Sequence, residues 1–179
     1  MKSKLSILIT ILFAVVGSTQ TNAHGPTPQK ANEEITIAAK PDQVWAVIKK
    51  FAEISSWHTG LAKSAGEGGE VAGATRTMTL KSGGDLVEGL DEVDEAKMQI
   101  TYRLSKENIE AFPVGSYTAS MKVMADGEGS KIEWSSRLYR ADTTNEPPEN
   151  RNDAAALKAM SDFFKQGLEG LKAKLEAKG

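Results

Sequence analysis

Two oppositely charged residues stand where strand alternation places them together. Arg76, Met78 and Leu80 share one face of an alternating run, and Leu86, Glu88 and Leu90 share one face of the next. A turn at 81–85 folds the second run onto the first, so Arg76 and Glu88 become near neighbours. An acid and a base side by side suit two kinds of chemistry. They form a structural ion pair, or they serve as polar groups of a small-molecule pocket. The structural role carries more weight, since paired buried charges are common and say little about catalysis. Tyr102, Tyr117, Met121, Trp134 and Ser136 fall on the apolar face of later runs and add hydroxyls to the same surface. Trp57-His58 ends a helical segment. An imidazole there would titrate near neutral pH and act as acid or base, although a lone histidine beside a tryptophan is more often a packed, hydrogen-bonded surface residue. The other histidine, His24, would offer an amine and a ring nitrogen to copper(II) if processing left it first in the chain. A closed site needs a further ligand, and a plain extended arm is the commoner outcome. No metal, no cofactor and no catalytic residue is assigned. There is no cysteine nucleophile, no Gly-x-Ser-x-Gly elbow and no phosphate-binding glycine loop, so hydrolase, kinase and nicotinamide-enzyme chemistries lose their main support.

Placing those side chains on one surface takes a sheet, and covering them takes a helix. Between residues 61 and 139 the chain alternates apolar and polar residues with glycine-rich or acidic turns, which predicts an antiparallel meander. Its clearest strands are 74–80, 86–93, 98–104, 117–124 and 132–138, with a longer loop at 106–115 and a first strand at 34–38 before the meander. Pro41 and Asp42 begin a helix whose face is Val44, Trp45, Ile48 and Phe51, and a second short helical segment runs to Trp57. Leu157, Met160, Phe164, Leu168, Leu171 and Leu175 draw an apolar stripe along a helix from about 152 to 177, with Met160 and Phe164 among the residues facing the pocket. Gly167 and Gly170 inside that helix imply a bend or a close approach. The segments 66–73 and 143–153 read as loops.

The N-terminus bears on the compartment. Lys2 and Lys4 precede an uncharged run from Leu5 to Gly17 that Thr21-Asn22-Ala23 follows, the pattern of a cleaved export signal. Its apolar core of about 12 residues falls short of the roughly 20 that a stable span requires. The expectation is a signal peptide at 1–23, periplasmic localisation without a stable membrane anchor, an extended arm at 24–32 and a single domain at 33–179. Loss of Lys2 and Lys4 moves the formal charge from -2 to -4, with no basic run, so nucleic acid is not expected as a partner.

Strand, two helices, antiparallel meander and long C-terminal helix is the element order of the helix-grip or START-like α+β fold. The chain resembles its SRPBCC and polyketide-cyclase branch in Lys40-Pro41-Asp42-Gln43-Val44-Trp45, in Trp57-His58, and in Gly73-Ala74-Thr75-Arg76 leading to Leu86-Val87-Glu88. It also resembles the MxaD-type periplasmic proteins of bacterial methanol oxidation, whose His-Gly-Pro-Thr-Pro-Gln-Lys after the signal is matched by His24 to Lys30. The resemblance implies a curved sheet wrapped around the C-terminal helix, with a cavity between them. It further implies an accessory role beside methanol dehydrogenase and its cytochrome c acceptor. A carrier of an apolar, lipid- or quinone-like molecule is the alternative, and a cyclase or hydratase is a weaker one. The superfamily uses its cavity for many unrelated jobs, so no catalytic residue is carried over.

Overall fold

The structure, a computed structural model, describes residues 25–177. The expected signal peptide and His24 lie outside the described residues. In chain order the elements are β1 (Gln29–Ile37), α1 (Pro41–Ile48), a 3₁₀ segment (Phe51–Ser56), β2 (Leu61–Glu67), β3 (Thr75–Leu80), β4 (Asp85–Asp94), β5 (Gln99–Lys106), β6 (Val114–Asp126), β7 (Gly129–Arg140) and α2 (Asp153–Glu176). The strands form one seven-stranded antiparallel sheet in the order β1-β7-β6-β5-β4-β3-β2. The sheet curves around α2, which is the helix-grip arrangement expected from the element order.

Local chemistry explains most of these elements. Pro41 sits in the first turn of α1, and the Gln43 side chain accepts the Lys40 N–H at 3.1 Å. Asn152 caps α2 by accepting the Ala155 N–H at 2.9 Å. The β3–β4 hairpin turns through Gly83 and Gly84, whose φ angles of 99° and 87° a side chain would resist. That turn fixes which residues face one another across β3 and β4. Register shifts between Val87 and Glu88, and again between Leu90 and Glu92, bend β4 against β5.

Two strands depart from the sequence expectation. Pairing begins at Gln29, inside the segment read as an arm, because β7 supplies a partner for every residue from Gln29 to Ile37. Within its polar start only Ala31 turns inward, which is why alternation does not reveal it. The second is β2. It is an edge strand with one buried residue, Leu61, at its start, so it lacks an apolar period and extends into the segment read as a loop at 66–73.

Helix α2 buries a wider arc than the predicted stripe. Ala156, Phe163, Gly167 and Gly170 join Met160, Phe164, Leu168 and Leu171 in the core, while Leu157 and Leu175 are only partly covered. A curved sheet touches a helix over more of its circumference than a flat one would. The two glycines mark close approach: a Cβ at Gly167 would lie 2.5 Å from the Trp134 ring and 2.8 Å from His58 Cδ2, and one at Gly170 would lie 1.9 Å from the Trp57 carbonyl oxygen. Before α2, the loop 141–152 is held by buried Arg140. Its guanidinium donates to the carbonyls of Asp142 and Thr144 and to the Asp153 carboxylate at 2.6–2.9 Å.

Gly170→Ala therefore tests the helix placement. On an isolated helix the change adds about 1 kcal/mol of stability, but here the methyl meets backbone and should cost about 1–3 kcal/mol or more. The urea midpoint of Gly170→Ala should fall while that of exposed Glu169→Ala stays near wild type. A rise for Gly170→Ala would contradict the contact.

Candidate functional site

The inner face of the sheet carries a polar network within an aromatic core. Arg76 and Glu88 are opposite residues in the β3–β4 register. Arg76 Nε donates to Glu88 Oε2 at 2.5 Å, and the two residues are 2% and 0% exposed. Arg76 Nη1 donates to the Phe51 carbonyl at 3.0 Å. The guanidinium carbon lies 4.1 Å from the centre of the Phe51 ring and 4.7 Å from that of Tyr102. The second carboxylate oxygen accepts the Tyr117 hydroxyl, while Tyr102 Oη accepts the Trp134 indole N–H at 2.7 Å. Burial, reinforced by the Glu88 charge, pushes both tyrosine hydroxyls well above their ordinary range. They are donors or neutral acceptors at physiological pH, and neither is a base.

His58 is 1% exposed, which overturns its reading as a surface residue. Its ring centre lies 4.1 Å from that of Phe163 and meets the Trp134 ring edge-on at 6.1 Å. The room for it comes from Gly167 on α2 and from Gly60, either of which would crowd it with a side chain. His58 Nδ1 accepts the Gly60 N–H at 3.1 Å. Desolvation lowers its pKa from 6.5 to about 4, Arg76 and Lys81 act in the same direction, and the Phe163 carbonyl acts against them. The imidazole is neutral at physiological pH and carries its proton on Nε2.

Trp57, Met78, Met121, Trp134, Met160 and Phe164, all read from sequence as pocket residues, lie in the same buried core. Trp134 stacks on Phe164 with centres 4.5 Å apart. These side chains, together with Phe51 and Tyr102, fill the interior that the sequence suggests as an open bowl. An opening lies at the rim instead: a cleft of about 170 Å³ with Gly60, Leu80, Phe112, Phe163 and Gln166 in its wall. Phe163 packs edge-on against Phe112 at 5.9 Å and also covers His58, so it stands between the cleft and the interior. Sequence reasoning passes over Phe112 and Phe163. The only signal is that Phe163 precedes Phe164 on a helix whose buried arc is wide.

A family model described as polyketide cyclase / dehydrase and lipid transport matches residues 28–176. Among solved structures, the protein XoxI from Bacillus cereus is 21% identical, with a TM-score of 0.68 over 82% of this chain and 95% of its own. A protein of Nitrosospira multiformis is 19% identical, with a TM-score of 0.68 over 84% and 100% of the two chains. Ara h 8.0201 is 15% identical, with a TM-score of 0.64 over 84% and 99%. At these identities the likeness is one of fold. No curated protein matches the chain.

Two measurements follow from the geometry. Arg76→Ala or Glu88→Ala alone leaves a buried charge unpaired and should cost about 3–5 kcal/mol. The double variant should cost less than the two singles combined, and strictly additive midpoints would refute the coupling. Acidification gives the second. Between about pH 6.5 and pH 4 an unfolded chain protonates His58 while the folded protein does not, so stability falls across that window by up to about 3 kcal/mol. His58→Gln should remove that part of the slope. A slope unchanged by the substitution would place the titration elsewhere.

Proposed function

Since this chain belongs to the polyketide cyclase / dehydrase and lipid transport family, we propose that it binds an apolar small molecule between α2 and the concave sheet face. The observation that carries this reading is the network of Arg76, Glu88 and Tyr117, buried in an aromatic interior that meets the rim cleft at Phe163. A polar cluster in an apolar enclosure gives a ligand orientation as well as burial. Because aromatic side chains fill the interior, a ligand enters by displacing them, beginning with Phe163 in the cleft wall.

The same geometry argues for binding over catalysis. Both oxygens of Glu88 are occupied, by Arg76 and by Tyr117. The tyrosines hold their protons and His58 is neutral, with its basic nitrogen engaged by Gly60. No free base faces the cleft from this group, so a cyclase or hydratase would need a rearranged network before it could abstract a proton.

A second reading rests on the match of His24 to Lys30 to the MxaD-type heptad. On that reading the chain is exported, processed after Ala23, and assists contact or electron transfer between methanol dehydrogenase and its cytochrome c in the periplasm. Both readings are compatible with one protein.

Native mass spectrometry of gently purified protein should reveal a retained small molecule that organic denaturation releases. Phe163→Ala should keep the fold and exchange that molecule, or an added apolar fluorophore such as pyrene, several-fold faster. Protein with no retained mass and no saturable pyrene binding would sink the binding reading. An unchanged rate of cytochrome reduction by methanol dehydrogenase with and without the protein would sink the second.

A further inference from the structure

Among the described residues, five buried side-chain polar atoms have no hydrogen-bond partner: Trp57 Nε1, His58 Nε2, Arg76 Nη2, Ser136 Oγ and Asp153 Oδ1. Native interiors hold few such atoms, so their placement is informative. Asp153 belongs to the start of α2, where its other oxygen meets Arg140. Three of the remaining four are nitrogen donors. The indole and guanidinium N–H groups have no alternative role. His58 joins them because its Nδ1 is already an acceptor for Gly60, which leaves the ring proton on Nε2. The Ser136 hydroxyl is able to donate as well. Among the side-chain acceptors nearby, Glu88 serves Arg76 and Tyr117, and Tyr102 Oη serves Trp134. The Phe163 carbonyl lies near the imidazole and the Tyr102 hydroxyl near the guanidinium, but neither makes a hydrogen bond of normal geometry to Nε2 or Nη2.

The three nitrogen donors belong to one connected set of packed side chains. Arg76 covers the Tyr102 ring, Tyr102 is bonded to Trp134, and Trp134 packs against Trp57 at 5.9 Å and His58 at 6.1 Å. His58 lies directly beneath Phe163, the side chain that closes the rim cleft. Arg76 and Lys81 both place positive charge in the neighbourhood of the imidazole.

We propose that the interior selects apolar ligands carrying a hydrogen-bond acceptor oxygen, a carbonyl or carboxylate, which takes up the orphaned N–H groups of Trp57, His58 and Arg76. The inference rests on the binding reading and sharpens it to a ligand class. A hydrocarbon leaves the donors unpaired. An amine adds a donor and a positive charge to a region that holds both in excess. An acceptor oxygen satisfies groups that the folded protein leaves unsatisfied, and a site built for hydrogen bonding discriminates strongly against a partner that lacks the complementary group.

Isothermal titration of the full chain with three probes of similar length, dodecanoate, 2-tridecanone and dodecylamine, tests this. Dodecanoate and 2-tridecanone should each bind about tenfold or more tightly than dodecylamine, and a gap between those two separates carboxylate from carbonyl recognition. Trp57→Phe and His58→Phe, confirmed as folded by circular dichroism, should each weaken the two acceptor probes about three- to tenfold and leave dodecylamine unchanged. If a variant does not fold, the wild-type ranking alone decides. Equal affinities for all three probes would overturn the acceptor preference and leave the binding reading standing. Absence of binding by any probe would overturn both.

Discussion

A carboxylate held away from water in the middle of a sheet is the arrangement around which this interior is organised. Removing an ion of that size from water costs several kcal/mol even after the protein relaxes. Glu88 is offset by a guanidinium on one oxygen and a hydroxyl on the other. Each of those partners needs support in turn. Arg76 rests between the Phe51 and Tyr102 rings and is tied to the Phe51 carbonyl. Through these contacts the 3₁₀ segment after α1 is fastened to β3, β4 and β6, so one ionised group sets the relative positions of four elements.

Helix α2 then has to seal what the network leaves apolar, and it does so at unusually short range. Gly167 and Gly170 remove the side chains that would hold the helix away, which brings its backbone against Trp57, His58 and Trp134. The same closeness keeps His58 dry and neutral. A looser helix would let water reach the imidazole and would leave Trp134 without its stacked partner Phe164. Aromatic packing and the electrostatics of the site are two results of one distance.

Much of this was legible in the residues. Alternation locates the strands from 75 to 140 because each has one wet face and one dry face. The glycines at 83 and 84 make the Arg76–Glu88 adjacency readable from a turn alone. The stripe on α2 gives its length. What stays hidden has common physical causes. β2 is an edge strand with little to bury, and the start of β1 is held by backbone pairing that leaves no mark on side-chain type. Phe163 and Phe112 come together only once the loop after β5 meets α2. The burial of His58 depends on space that two glycines vacate 107 residues apart, Gly60 and Gly167, and no local pattern records an empty volume.

The pairing of β1 with β7 sets an order in time. Gln29–Ile37 is the first strand of the sheet to be made, and its partner Gly129–Arg140 is the last. Until the end of the chain is available, the first strand has neither a neighbour to bond with nor α2 to cover it. The central hairpins close over short loops and the outer edge closes over the whole sequence, which is the slow kind of contact. A ribosome or chaperone that meets the chain early therefore meets it with an open N-terminal strand, and the fold becomes self-protecting only at its final turn.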